Sequence, residues 1–133
     1  MARQSVLFLC TGNSCRSQMA EGTLRHAAGD RFEVVSAGTR PAGLNPTAVE
    51  VMRETGIDIS NHRSKNLDEF LGQRFDWVIT VCDAAKEACP LFPGASRQLH
   101  WSFEDPAWQE LAVFRRVRDE IQARIRAFVE AAL

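Results

Sequence analysis

The residues that most constrain the fold stand near the start, where Val6-Leu7-Phe8-Leu9 runs without a break into Cys10-Thr11-Gly12-Asn13-Ser14-Cys15-Arg16-Ser17. A short, continuous apolar run of this kind reads as a strand buried on both faces. From Arg16 the pattern turns helical, with Met19, Ala20, Leu24, Ala27 and Ala28 on one face and Gly29 at the end. A strand with no wet face needs a layer on each side. The chain is therefore expected to fold as an α/β protein around a parallel sheet.

The remaining pattern repeats the alternation. Phe32 to Ser36 reads as a second strand, closed by Ala37-Gly38. A turn-rich stretch from Pro41 to Asn45 leads to Pro46, placed at the first turn of a helix that runs to about Thr55 and stops at Gly56. Leu67 to Leu71 reads as a short helix, Asp76 to Val81 as a third strand, and Arg97 to Trp101 as a more polar fourth. Leu111, Phe114, Val117, Ile121, Ile125 and Phe128 recur at three- and four-residue spacing and mark a long amphipathic helix. The expectation is one domain over residues 1–133, with a four-stranded parallel sheet flanked by helices and covered on both faces. At 133 residues the core needs no disulfide or metal to hold it. Ligands of such sheets bind beyond the carboxyl ends of the strands. Cys10, Cys82 and the segment after Trp101 all fall there.

Charge and cysteine usage exclude several classes. The net charge is −1 with no basic block, so nucleic acid is not an expected partner. No apolar run approaches the ~20 residues of a membrane span. Ala2-Arg3-Gln4 leads into an apolar segment only one strand long, so no secretory leader is expected and the cytoplasm is the expected compartment. Thiols stay reduced there, so four cysteines point to catalysis or metal binding rather than to structural bridges. No exposed apolar stripe asks for a second copy, and a monomer is expected.

The Cys10 to Arg16 segment has the composition of an oxyanion cradle. Backbone N–H groups of a short loop and of a helix N-terminus converge on whatever fills the mouth, and their field favours negative charge, a thiolate included. Thr11, Gly12, Asn13, Ser14, Cys15 and Arg16 would line that mouth, with Cys10 as nucleophile. Arg16 supplies a planar fork for two oxygens of a tetrahedral anion. The Ser17 hydroxyl can reach back to the Cys10 sulfur, or serve as a plain helix cap.

Cys82 and Cys89 leave two readings open. On an intact helix, seven residues separate them by about 10 Å, beyond the roughly 7 Å limit for a disulfide. They are either two independent buried thiols, or a redox pair carried by a movable segment that unwinds to join them. Zinc is not expected, because the spacing fits no compact pair and His26, His62 and His100 are scattered along the chain. In Glu104-Asp105-Pro106, Asp105 can be a general acid, or the N-cap of a helix with Pro106 at its first position.

The run Cys10 to Gly22, with Ser36-Ala37-Gly38, Asn45-Pro46, Ile57 to His62, Cys82, Cys89-Pro90, Trp101, Asp105-Pro106 and Arg116 to Ile121, resembles the thioredoxin-coupled arsenate reductases of the low-molecular-weight protein tyrosine phosphatase superfamily. The resemblance implies that fold, with Cys10 as nucleophile, Arg16 as oxyanion clamp and Asp105 as general acid. It casts Cys82 and Cys89 as a disulfide relay emptied by thioredoxin, with no bound cofactor. Arsenate is the implied substrate, phosphate and sulfate its analogues, and arsenic detoxification the implied role. The alternative is a phosphomonoester phosphatase of the same superfamily. That branch usually carries an apolar residue in place of Ser14, proline in place of Gln18, and tyrosines near the acid, whereas this chain has no tyrosine. Asn13, Glu21 and Ser36 match positions that in some relatives help hold a potassium ion together with an acidic residue at position 65. Here that residue is Lys65, whose ammonium can reach Glu21 in place of the ion, or lie solvated at the surface.

Overall fold

A computed structural model of the chain describes residues 3–83, 87 and 89–132. Four strands, β1 (Gln4–Cys10), β2 (Phe32–Gly38), β3 (Phe75–Thr80) and β4 (Ala95–His100), form one parallel sheet in the order β2-β1-β3-β4. Helices α1 (Arg16–Ala28), α2 (Pro46–Glu54) and α3 (Leu111–Ala131) and a 3-10 turn at Leu67–Phe70 complete the described elements.

The central strand shows why its sequence is apolar throughout. Val6 and Phe8 belong to one core with Met19, Leu24, Val51, Phe114 and Ile121, whereas Leu7 and Leu9 join a second with Ala37, Phe75, Val78 and Phe92. Alternate residues of a strand point to opposite faces, so one run feeds both cores. The layers are unequal. Residues of α1, α2 and α3 all contribute to the first core, and the second face is closed by the 3-10 turn and the Phe92 segment. The expectation of a sheet covered on both faces holds, but its helices gather on one.

Local signals fix the ends. Asn45 caps α2 through its side-chain oxygen, accepting from Thr47 and Ala48 N–H at 2.8 and 3.3 Å, with Pro46 in the first turn. Gly56 takes φ +82, and N–H groups of Gly56 and Ile57 close back on Arg53 and Met52 carbonyls. This left-handed exit explains glycine there. Arg118, buried on α3, donates to Val51 O and Glu54 at 2.8 Å and ties α3 to α2.

Because all strands run the same way, the ends of β1, β3 and β4 open on one edge of the sheet. Leu9 pairs with Thr80, and Thr80 with His100. Cys10, Cys82 and the Trp101–Asp105 loop thus share one rim.

Candidate active site

β1 delivers Cys10 to the rim, and α1 begins six residues later. Between them Asn13 adopts φ +46, a left-handed conformation that asparagine tolerates better than most residues. The turn brings the Asn13 N–H within 3.2 Å of Cys10 Sγ. Gly38, at the end of β2, lies so close that a Cβ would stand 2.4 Å from Thr11 O and 2.9 Å from Asn13 N. The loop therefore rests on a strand end that admits only glycine.

Hydrogen-bond direction can be followed through the buried groups. The Lys65 N–H donates to Asn13 Oδ1 at 2.8 Å, which identifies that atom as the amide oxygen. Asn13 Nδ2 must then donate to Ser17 Oγ at 2.7 Å and Ser36 Oγ at 2.9 Å. Ser17 Oγ, which accepts from Asn13, lies 2.8 Å from Cys10 Sγ, and against a Cys10 thiolate its hydroxyl is the donor. Ser17 is thus oriented onto the sulfur, and among the described residues no side chain caps α1. Ser36 in turn donates its hydroxyl proton in a hydrogen bond to Glu21.

Arg16 is almost wholly buried and donates to Phe103 O at 3.2 Å. Burial works against its charge, but Glu87, Cys10 and Asp105 outweigh that and hold the guanidinium above its ordinary range. Asp105 Oδ2 lies 3.7 Å from Arg16 Nη2, and Oδ1 accepts from Ala107 N–H at 3.0 Å. The helix-cap reading of Asp105-Pro106 is corrected: α3 starts at Leu111 behind Glu110, and Asp105 braces a turn instead. One oxygen holds the turn while the other faces Arg16. Thr11, Gly12, Ser14 and Cys15 line the same cavity of about 450 Å³ with Cys10, Arg16 and Asp105. Burial pushes the Cys15 thiol up to about 12. It is therefore protonated and a poor nucleophile at neutral pH.

Cys82 and Cys89 are joined as a disulfide, with Cα atoms 6.0 Å apart. An intact helix across that span would keep them about 10 Å apart, so the joined alternative is the one realised. Cys82 is fully buried and Cys89 half-buried. The expectation of a movable segment falls partly on residues 84–86 and 88, which lie outside the described residues. The histidines are not equally scattered in space. His100 brings a ring nitrogen within 4.8 Å of both sulfurs, and its Nδ1 bonds to Thr80 Oγ1 at 2.6 Å. In this oxidised form the sulfurs are bonded to each other, and neither is a thiolate able to ligate a metal.

A model of the low molecular weight phosphotyrosine protein phosphatase family matches residues 5–133. The chain belongs to that family. The arsenate reductase of Halalkalibacterium halodurans is 49% identical, with 98% of each chain covered. Among solved structures, an arsenate reductase in the phosphate-binding state superposes with a TM-score of 0.87 at 35% identity, covering 96% of this chain and 98% of that one. The thioredoxin-dependent arsenate reductase of Corynebacterium glutamicum gives a TM-score of 0.77 at 34% identity, covering 97% of this chain and 61% of that chain.

Around the phosphatase-family loop lies a buried polar node. Glu21 receives Arg25 at 2.6 Å, stands 3.6 Å from Lys65 Nζ and 3.8 Å from His62 Nε2, and accepts from Ser36. Lys65 Nζ also donates to Arg63 O at 2.8 Å, so this lysine is engaged rather than solvated. Burial lowers its proton affinity, while Glu21 opposes that shift. With an ammonium and a guanidinium already on Glu21, this donor set does not fit a further cation.

Two groups escape sequence reading. Glu87 stands on Arg16 and Thr11, although it reads as one more charge on a polar segment. His100 is placed by sheet order, because it pairs with Thr80 at the end of β3, two residues before Cys82. A cleft of about 610 Å³ at the far end of the sheet is lined by Trp77, Arg97 and Phe128, with no cysteine among its described lining residues.

Proposed function

We propose that this protein reduces arsenate to arsenite, with Cys10 as the first thiol of a three-cysteine relay and thioredoxin as the reductant. The loop holds the tetrahedral anion through its backbone N–H groups and Arg16. The Cys10 thiolate, oriented by Ser17, attacks arsenic, and Asp105 protonates the oxygen that leaves as water. Cys82 then attacks the Cys10 sulfur. The electron pair of the S–As bond passes to arsenic, which departs as arsenite while a Cys10–Cys82 disulfide forms. Cys89 displaces Cys10 from Cys82, and the resulting Cys82–Cys89 disulfide is reduced by a dithiol. One arsenate consumes two thiol electrons and leaves one disulfide and one water.

A single observation carries this reading: the Cys82–Cys89 disulfide, at the end of the strand that neighbours β1. A phosphatase needs only Cys10, Arg16 and Asp105, and gains nothing from a bridge beside them. Those three residues also support slow phosphomonoester hydrolysis as a side activity. Lys65 is assigned the place of a structural cation, bracing Asn13 and Glu21 beneath the loop.

The relay is tested by mixing reduced protein with stoichiometric arsenate in the absence of thioredoxin, then mapping disulfides by mass spectrometry. Cys82–Cys89 should accumulate with arsenite, and Cys89→Ser should stop at Cys10–Cys82. Arsenite release with no Cys82 disulfide would refute the sequence of steps.

A further inference from the structure

Glu87 lies between the two joined cysteines, and its carboxylate sits on the oxyanion loop. Oε1 bonds to Arg16 Nη1, and Oε2 accepts from Arg16 Nη2 at 3.3 Å and from Thr11 Oγ1 at 3.0 Å. Oε1 also accepts the Asp83 N–H at 2.7 Å, which holds the carboxylate from its own segment. Two oxygens on two guanidinium nitrogens is the fork geometry by which arginine holds phosphate-like anions. Glu87 lines the same cavity as Cys10, Cys15, Arg16 and Asp105. Burial opposes its charge, but Arg16 and the Asp83 N–H prevail and keep the carboxyl below its usual range.

We propose that Glu87 is an internal stand-in for the oxyanion, which occupies Arg16 while Cys82 and Cys89 are joined and leaves it when they are reduced. The inference rests on the relay reading for its purpose, though not for its test. Closing the disulfide tethers Glu87 beside the loop, so the carboxylate competes at the high effective concentration of an intramolecular ligand. It shares the sign of arsenate and takes the same donors, so both cannot hold the fork together. Two consequences follow for turnover. Once Cys89 has closed on Cys82, the buried Arg16 charge that arsenite vacated one step earlier is not left stranded, because a carboxylate takes the place of the anion. An enzyme already oxidised does not bind arsenate, or competing phosphate, until its disulfide has been opened.

The test uses inorganic phosphate as probe in a Cys10→Ser, Cys15→Ala background, where the only disulfide that can form is Cys82–Cys89. Oxidised and reduced protein are titrated calorimetrically, with Glu87 intact, as Glu87→Ala and as the near-isosteric Glu87→Gln. With Glu87 intact, oxidation should weaken phosphate binding at least tenfold, whereas both variants should bind equally in the two redox states. Oxidised Glu87→Gln should then bind at least tenfold more tightly than oxidised protein with Glu87. Equal affinity of the oxidised forms with and without Glu87 would overturn the proposal. So would intact protein that binds phosphate equally in both redox states. If the relay reading itself were wrong, the fully cysteine-bearing protein would fail to reduce arsenate, and this titration would still report on Glu87.

Discussion

Ser17→Ala is the perturbation whose cost can be worked most directly from the geometry. The substitution removes the only donor hydroxyl aimed at Cys10 Sγ among the described residues, 2.8 Å away, and leaves one Asn13 N–H without its acceptor. A hydrogen bond to a charged group contributes about 1.5–3 kcal/mol. A less hydrogen-bonded thiolate is also the better nucleophile, with a Brønsted slope of about 0.4–0.5, so nearly half of that loss is recovered in the attack step. At about 1.36 kcal/mol per decade, the net fall in kcat/KM for arsenate near neutral pH is roughly 4- to 16-fold. The unpaired buried N–H should separately cost about 1–3 kcal/mol of folding stability in urea titration. Thioredoxin-coupled arsenate turnover measures the first quantity, and Cys10 alkylation by iodoacetamide should slow in parallel. Because Asn13 acts through Ser17, Asn13→Gly, which keeps the φ of +46 accessible, should add little on top of Ser17→Ala. A variant within twofold of wild type, or strict additivity with Asn13→Gly, would refute the directed chain from Lys65 to the sulfur.

Other outcomes follow from the same contacts. Replacing sodium by potassium at constant ionic strength should leave the melting temperature unchanged, because Lys65 already meets Glu21; Lys65→Ala should cost about 1–3 kcal/mol, below the usual penalty for breaking a buried pair because Arg25 remains. His62 is held neutral between Gln18 and Arg25, and burial lowers its proton affinity below the ordinary 6.5. The unfolded chain therefore takes up the proton first on acidification, and stability falls as pH drops below about 6.5. Urea midpoints at pH 5.5 and 7.5 should show that loss, and His62→Gln should reduce the difference. Asp105→Asn should slow hydrolysis of aryl phosphates by about 10²–10⁴ when the leaving group is poor, with much less effect on a good one; an equal loss across leaving groups would deny it the role of acid.

Much of the scaffold was legible because its signals are local. The Val6–Leu9 run, Asn45-Pro46, Gly56 and the 111–128 periodicity each act within a few residues, and each element lies where the pattern places it. The loop was legible too, since a strand, small polar residues and a helix start are sequence-adjacent. What escaped depends on chain segments meeting. An apolar run is satisfied by any cover, so it does not say that α1, α2 and α3 share one face. Asp-Pro satisfies a turn as readily as a helix start, and only Leu111 as the true beginning of α3 separates them. Glu87 meets Arg16 in a segment closed by the Cys82–Cys89 bridge, and a spacing of seven residues left that joining open.

The central claim is that Cys10 serves an electron relay, not hydrolysis alone. The most direct measurement compares arsenate-dependent thioredoxin oxidation with p-nitrophenyl phosphate hydrolysis in wild type and Cys82→Ser. Cys82→Ser should abolish multiple turnover of arsenate while phosphate ester hydrolysis continues at the wild-type rate. Arsenate turnover that persists unchanged in Cys82→Ser would contradict that claim.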